Sequence, residues 1–170
     1  MNVFRGSAHL RAAPPCALTI GNFDGVHRGH HALLKALTVG ARARGLASCV
    51  MTFEPHPKEF FTPAEAPPRI LNLRDKLTAF ADVGIDRVVI ERFNAAYAQL
   101  TPEHFVSEIL IRRLNTKWIL IGDDFCYGAK RAGDFASLKR AGEEFGFEVS
   151  NINTVLENQE RISSSALRSA

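Results

Sequence analysis

Cysteine is scarce in this sequence: Cys16, Cys49 and Cys126 are odd in number, far apart, and include no Cys-x-x-Cys pair. That excludes a disulfide framework and a thiolate zinc site, and it fits free thiols in a reducing compartment. No apolar run approaches the ~20 residues needed to span a bilayer. The first thirteen residues, interrupted by Arg5, His9 and Arg11, lack the apolar core of a signal peptide. A cytoplasmic location is the expectation. Lysine and arginine nowhere gather into a stripe, and the formal charge of +3 is a mild excess. Charge therefore gives no argument for nucleic acid, and anionic small molecules account for it equally well. There is no internal repeat and no low-complexity tract. The 170 residues suffice for one domain with a buried core.

What is present is alternation of strand and helix. Cys16–Ile20 is a short apolar run ending at Gly21 and reads as a buried strand. From Gly29 the period changes: Leu33, Leu34 and Leu37 mark one helical face, and Gly45 is a plausible stop. Leu46–Phe53 predicts a second strand, ended by the Glu54-Pro55-His56-Pro57 loop. Thr62–Pro68, with three prolines, predicts an exposed connection, after which Asn72 caps a helix to about Val83. Arg87–Ile90 and Lys117–Ile121 predict further strands, separated by a helix that Thr101 caps and Pro102 opens. A helix over Phe135–Phe145, a strand over Phe147–Asn153 and the start of a helix at Ser163 complete the pattern. Such alternation predicts an α/β, Rossmann-like, doubly wound parallel sheet of about five strands with helices on both faces. Ligands of these sheets sit beyond the carboxyl ends of the strands, where the unusual residues cluster.

The strongest of those clusters is Gly21-Asn22-Phe23-Asp24-Gly25-Val26-His27-Arg28-Gly29-His30. Its glycines let backbone approach a phosphate, and a helix N-terminus offers unpaired N–H groups to an anion. His27 and His30, three apart, share a face if helical and can neutralise charge on phosphate oxygens. The bland alternative is a turn shaped by glycine with histidines as surface caps. The placement between a buried strand and a helix, with two histidines around Gly29, favours the phosphate. A second segment, Arg161-Ile162-Ser163-Ser164-Ser165-Ala166-Leu167-Arg168, combines hydroxyls suited to a helix cap with two guanidinium groups. On its own it reads as a solvated cap sooner than as a phosphate site. In two further loops the aromatic faces of Phe61, Phe125 and Tyr127 could stack on a planar ring, and Asp124 could accept a hydrogen bond from its edge; burial in the core is the commoner fate of phenylalanine, which leaves Phe125 open between the two, while Tyr127 reads as a ligand contact. His56 lacks partners at ligand spacing. Asp123 and Asp124 need not form a metal cage, since Mg²⁺ commonly rides on nucleotide phosphates.

The Gly-x-Phe-Asp-Gly-Val-His-x-Gly-His run resembles the signature of the His-x-Gly-His adenylyltransferases, and in particular the FMN adenylyltransferase domain of prokaryotic FAD synthetases. The resemblance implies ATP over the first turn, with His27 and His30 at the triphosphate and Gly21, Asn22, Phe23, Asp24 and Gly29 lining the site. Arg161–Arg168 resembles the family's Arg-x-Ser-Ser-Thr-x-x-Arg element, with Ser165 where threonine is usual. It implies phosphate contacts from Arg161, Ser163, Ser164, Ser165 and Arg168. Thr52–Pro57 and Gly122–Gly128 resemble the family's flavin-side loops, implying Pro55, Pro57, Phe61, Asp124, Phe125 and Tyr127 as flavin contacts. Cys126 departs from the arginine frequent there, leaving Lys130 or Arg131 as substitute cations.

The implied reaction joins ATP and FMN into FAD and pyrophosphate, with Mg²⁺ on the nucleotide and without a covalent enzyme intermediate. His27, His30 and Arg168 are its expected charge stabilisers. The family's C-terminal riboflavin kinase domain is expected to lie outside these 170 residues, so kinase activity belongs to the longer protein. Rival readings are a transferase of the same superfamily acting on phosphopantetheine, nicotinamide mononucleotide or glycerol phosphate, and a non-catalytic nucleotide or flavin sensor.

Overall fold

The computed structural model describes residues 1–11, 13–23, 28–54, 73–122 and 125–158. Among them six strands form one sheet: β1 (Asn2–Arg5), β2 (Cys16–Ile20), β3 (Ala47–Glu54), β4 (Arg87–Arg92), β5 (Thr116–Ile121) and β6 (Glu148–Asn151). Every pairing is parallel, in the order β1-β4-β3-β2-β5-β6. The fold is thus the α/β parallel sheet that the alternation predicts, with one strand more. The addition, β1, is a four-residue edge strand whose largely exposed side chains carry little pattern, Phe4 alone packing toward the core.

Why the strands are buried follows from their two covered faces. On one face Leu18, Ile20, Met51, Val89, Ile119 and Ile121 meet Phe105, Val106, Ile109, Leu110 and Leu138. On the other, Ala17, Val50, Val88, Trp118 and Leu120 meet Leu34, Leu37 and Ala41 of helix α1 (Arg28–Ala43) and Phe80 of α2 (Leu73–Asp82). Gly45, at φ +68°, follows α1 in the left-handed conformation expected of its stop. The cap that Asn72 would give α2, the Thr62–Pro68 connection and the helix start at Ser163 lie outside the described residues.

After the short α3 (Ala95–Ala98), Thr101 caps α4 (Pro102–His104) as expected, its hydroxyl accepting from the His104 N–H at 3.1 Å. The helix then widens over Phe105–Arg113, where Leu114 N–H reaches the carbonyl of Ile109, five residues back. Helix α5 (Phe135–Phe145) opens with Asp134 and Ser137 capping one another reciprocally. The Ser137 amide holds the Asp134 carboxyl below its ordinary range. A further helical stretch covers 152–158.

The chain steps outward from β2 to β3 to β4, then crosses back to lay β5 on the other side of β2. This reversal opens a crevice beyond the carboxyl ends of β2 and β5, and the first turn and the Gly122–Gly128 loop leave from there. At the opposite end of β5, Trp118 fills the space against Gly40 of α1, donates to Ser150 Oγ at 2.8 Å and lies under the Arg44 guanidinium. A methyl group at Gly40 would overlap the indole ring. Gly-to-Ala inside a helix ordinarily gains about 1 kcal/mol. Here Gly40→Ala is expected instead to cost about 1–3 kcal/mol through overpacking, measured by urea unfolding.

Candidate functional site

The turn leaving β2 is held from three directions. Gly21 N–H bonds the Met51 carbonyl at 3.0 Å, extending the β2–β3 ladder past the strand. The next carbonyl, that of Asn22, accepts from Thr52 Oγ1 at 3.2 Å and from Lys76 Nζ at 2.6 Å. With the Asn22 carbonyl fixed, Phe23 adopts φ +52°, a left-handed conformation rarely taken by a bulky residue. Its ring folds back over Gly21, where any Cβ would lie 3.0 Å from it. A side chain at 21 would therefore press on the Phe23 ring, a packing reason for glycine there.

Phe23 is 4% exposed and stands edge-on to Phe80 at 5.4 Å and to the His30 imidazole at 5.3 Å. Although the resemblance places Phe23 at the nucleotide, its ring is a core group that sets the position of His30. His30 and Gly29 lie in the first turn of α1, at the carboxyl end of β2. Among the described residues, Asn22 Oδ1 is buried at this mouth without a hydrogen-bond partner, as is Thr19 Oγ1 within β2. Asp24 and His27 lie outside the described residues, as do Arg161, Ser163, Ser164, Ser165 and Arg168. The proximity of the two imidazoles and the convergence of the serine segment on the turn therefore stay expectations.

On the acceptor side, Pro55, Pro57, Phe61 and Asp124 also lie outside the described residues. Phe125, half-buried, stacks on Tyr127 at 5.8 Å and 19°. Tyr127 is itself buried: its ring meets Phe105, its hydroxyl lies 3.0 Å from Ser137 Oγ, and its backbone pairs with Gly133. Of the two, Phe125 has the face more available to a ligand. Beyond them Lys130 and Arg131 are exposed and both take positive φ, 56° and 55°, in the turn after Gly128. Strain of this kind persists only where surrounding structure imposes it.

Sequence reasoning missed a further cluster at the ends of β3 and β4. Phe53, Phe93 and Tyr97 form a triangle of rings 5.7–5.9 Å apart. Beside them Glu91, 4% exposed, accepts from the Ser7 N–H at 2.5 Å, and Arg113 donates to Ser7 Oγ at 3.1 Å. The signal was present in the strand period, since Glu91 falls on the face of Val89 rather than on an outer one. Burial, and then the Glu91 charge, push the Tyr97 phenol well above its ordinary value. Burial also raises that of Tyr127. Lys76 and Thr52 were missed as anchors too. A visible hint was that Lys76 falls on the helical face of Leu73, Leu77 and Phe80. Among the described residues no group of three or more His, Cys, Asp or Glu is arranged to hold a metal ion, and no helix is long and apolar enough to cross a membrane.

Comparison with known proteins places this geometry. Residues 10–166 match the FAD synthetase family. The whole chain is 47% identical, over 172 aligned residues, to the bifunctional riboflavin kinase/FMN adenylyltransferase of Escherichia coli K12, covering 55% of that protein. It is 44% identical over its full length to the enzyme of the same description from Pseudomonas fluorescens, again covering 55%. The chain thus spans about half the length of the curated relatives it matches. Among solved structures, one described as a macrolide-efflux protein from Streptococcus pneumoniae superposes with a TM-score of 0.73, over 88% of this chain and 50% of the other. At 24% identity it attests the fold alone.

Tyr97 and Tyr127 are the two tyrosines of the chain, so their ionisation can be read directly. Raising the pH through about 10, where a free tyrosine titrates, should produce little tyrosinate absorbance while the protein stays folded. The folded state keeps phenolic protons that the unfolded chain releases, so stability should fall as pH rises above about 10. A titration at the ordinary value would show that these rings are open to water.

Proposed function

Since this chain belongs to the FAD synthetase family, we propose that it is an adenylyltransferase that moves AMP from ATP to the phosphate of FMN, giving FAD and pyrophosphate. The observation that carries the reading is the anchored Gly21–Phe23 turn, which opens at the carboxyl end of β2 beside the reversal of strand order and runs toward the first turn of α1 with His30 in it. A helix N-terminus in that crevice is an anion site by its own dipole and unpaired N–H groups.

The chemistry asks little of the protein. The FMN phosphate is already a competent nucleophile, so one of its oxygens bonds to the α-phosphorus of ATP as the α–β bridging oxygen leaves with pyrophosphate. What remains is alignment and stabilisation of charge on the leaving group. His27, His30, Ser164, Ser165 and Arg168 take that role, with Asn22, Asp24, Gly29, Arg161 and Ser163 around the nucleotide. Mg²⁺ held on the nucleotide phosphates would supply further neutralisation, and the buried, unsatisfied Asn22 Oδ1 is an oxygen suited to a metal-bound water. For the flavin, Pro55, Pro57, Phe61 and Asp124 join Phe125, whose half-buried ring suits stacking better than the enclosed Tyr127. Riboflavin kinase activity belongs to a longer protein that carries the remaining half of the relatives' length.

Incubation with ATP, Mg²⁺ and each candidate acceptor tests the reading. Pyrophosphate release with FMN, and not with phosphopantetheine, nicotinamide mononucleotide or glycerol phosphate, is the expected result. Tight binding without release would identify a sensor instead. A His27→Ala, His30→Ala double variant should lose about 10²-fold or more in turnover. Wild-type turnover in that variant would remove the imidazoles from the mechanism.

A further inference from the structure

A buried ammonium group is costly unless its position is used. Lys76 is 3% exposed, on the face of α2 that also carries Leu73, Leu77 and Phe80 into the core. An apolar side chain of similar length would fill that space without desolvating a charge. Instead Lys76 Nζ reaches across 54 residues of sequence to the Asn22 carbonyl at 2.6 Å. Thr52 Oγ1 donates to the same oxygen, so both of its lone pairs are engaged from two separate elements.

Fixing that oxygen fixes the Asn22–Phe23 peptide. The orientation of that peptide sets the left-handed Phe23, whose ring lies against His30. Resting on the adenylyltransferase reading above, we propose that Lys76 is a positioning residue of the transfer reaction. It locks the entry to the nucleotide turn and orients His30 through Phe23.

Three variants of the chain separate this role from simple packing. Lys76→Met keeps the volume and removes charge and donor, Lys76→Gln keeps a donor without charge, and Thr52→Val removes the other donor. Lys76→Met should still fold, because the Asn22 carbonyl keeps its bond from Thr52 Oγ1. Its kcat/KM for ATP should nonetheless fall about 10- to 100-fold with the KM for FMN unchanged. Lys76→Gln should recover part of kcat, and Thr52→Val should show a smaller loss of the same kind.

Wild-type kcat and ATP KM in Lys76→Met would overturn the proposal, as would a loss confined to FMN. Should Lys76→Met not fold, unchanged ATP kinetics in both Lys76→Gln and Thr52→Val would overturn it equally. Calorimetric binding of a non-hydrolysable ATP analogue gives a readout independent of turnover. If the wild type binds the analogue but transfers to no acceptor, the reaction assigned above fails, while weaker binding by Lys76→Met still upholds the positioning role.

Discussion

One carbonyl oxygen, that of Asn22, organises the mouth of the central strand. Two donors from elements far apart in sequence converge on it, Thr52 at the end of β3 and Lys76 from α2. The peptide so held presents Phe23 in a left-handed conformation that costs a non-glycine residue about 1–2 kcal/mol. Burying the Phe23 ring recovers a comparable or larger amount, about 1.5–3 kcal/mol. The ring in turn crowds any side chain at Gly21 and lies edge-on to His30. The conformation of Gly21–Phe23, where the chain leaves β2, is thus set by interior packing.

The sheet explains why this turn lies where it does. A parallel sheet buried on both faces leaves only its strand ends for chemistry, and reversal of strand order at β2 and β5 separates the flanking helices there. All five residues of β2 are buried, so the floor of the crevice is rigid. Different helices cover the two faces, α1 and α2 on one, the widened helix with α5 on the other.

The β5 side carries its own strain, in consecutive left-handed residues Lys130 and Arg131. Both are exposed. A transfer between phosphates needs no activated serine or cysteine. The three thiols are free, and Cys16 and Cys49 are fully buried, so cations, N–H donors and aromatic faces are the residues from which such a site is built.

Local pattern alone determined much of this protein. Hydrophobic runs bounded by glycine and proline gave five of the six strands, and Thr101 and Pro102 gave a helix start. These features are legible because each depends on neighbours along the chain. Tertiary structure alone decided what depends on distant partners: the pairing of β1 with β4, the burial of Glu91 beside Ser7, the enclosure of Tyr127, and the reach of Lys76 to Asn22. A lysine on a helix reads as solvated until the fold shows which carbonyl lies opposite it, because only packing brings together groups so far apart in the chain.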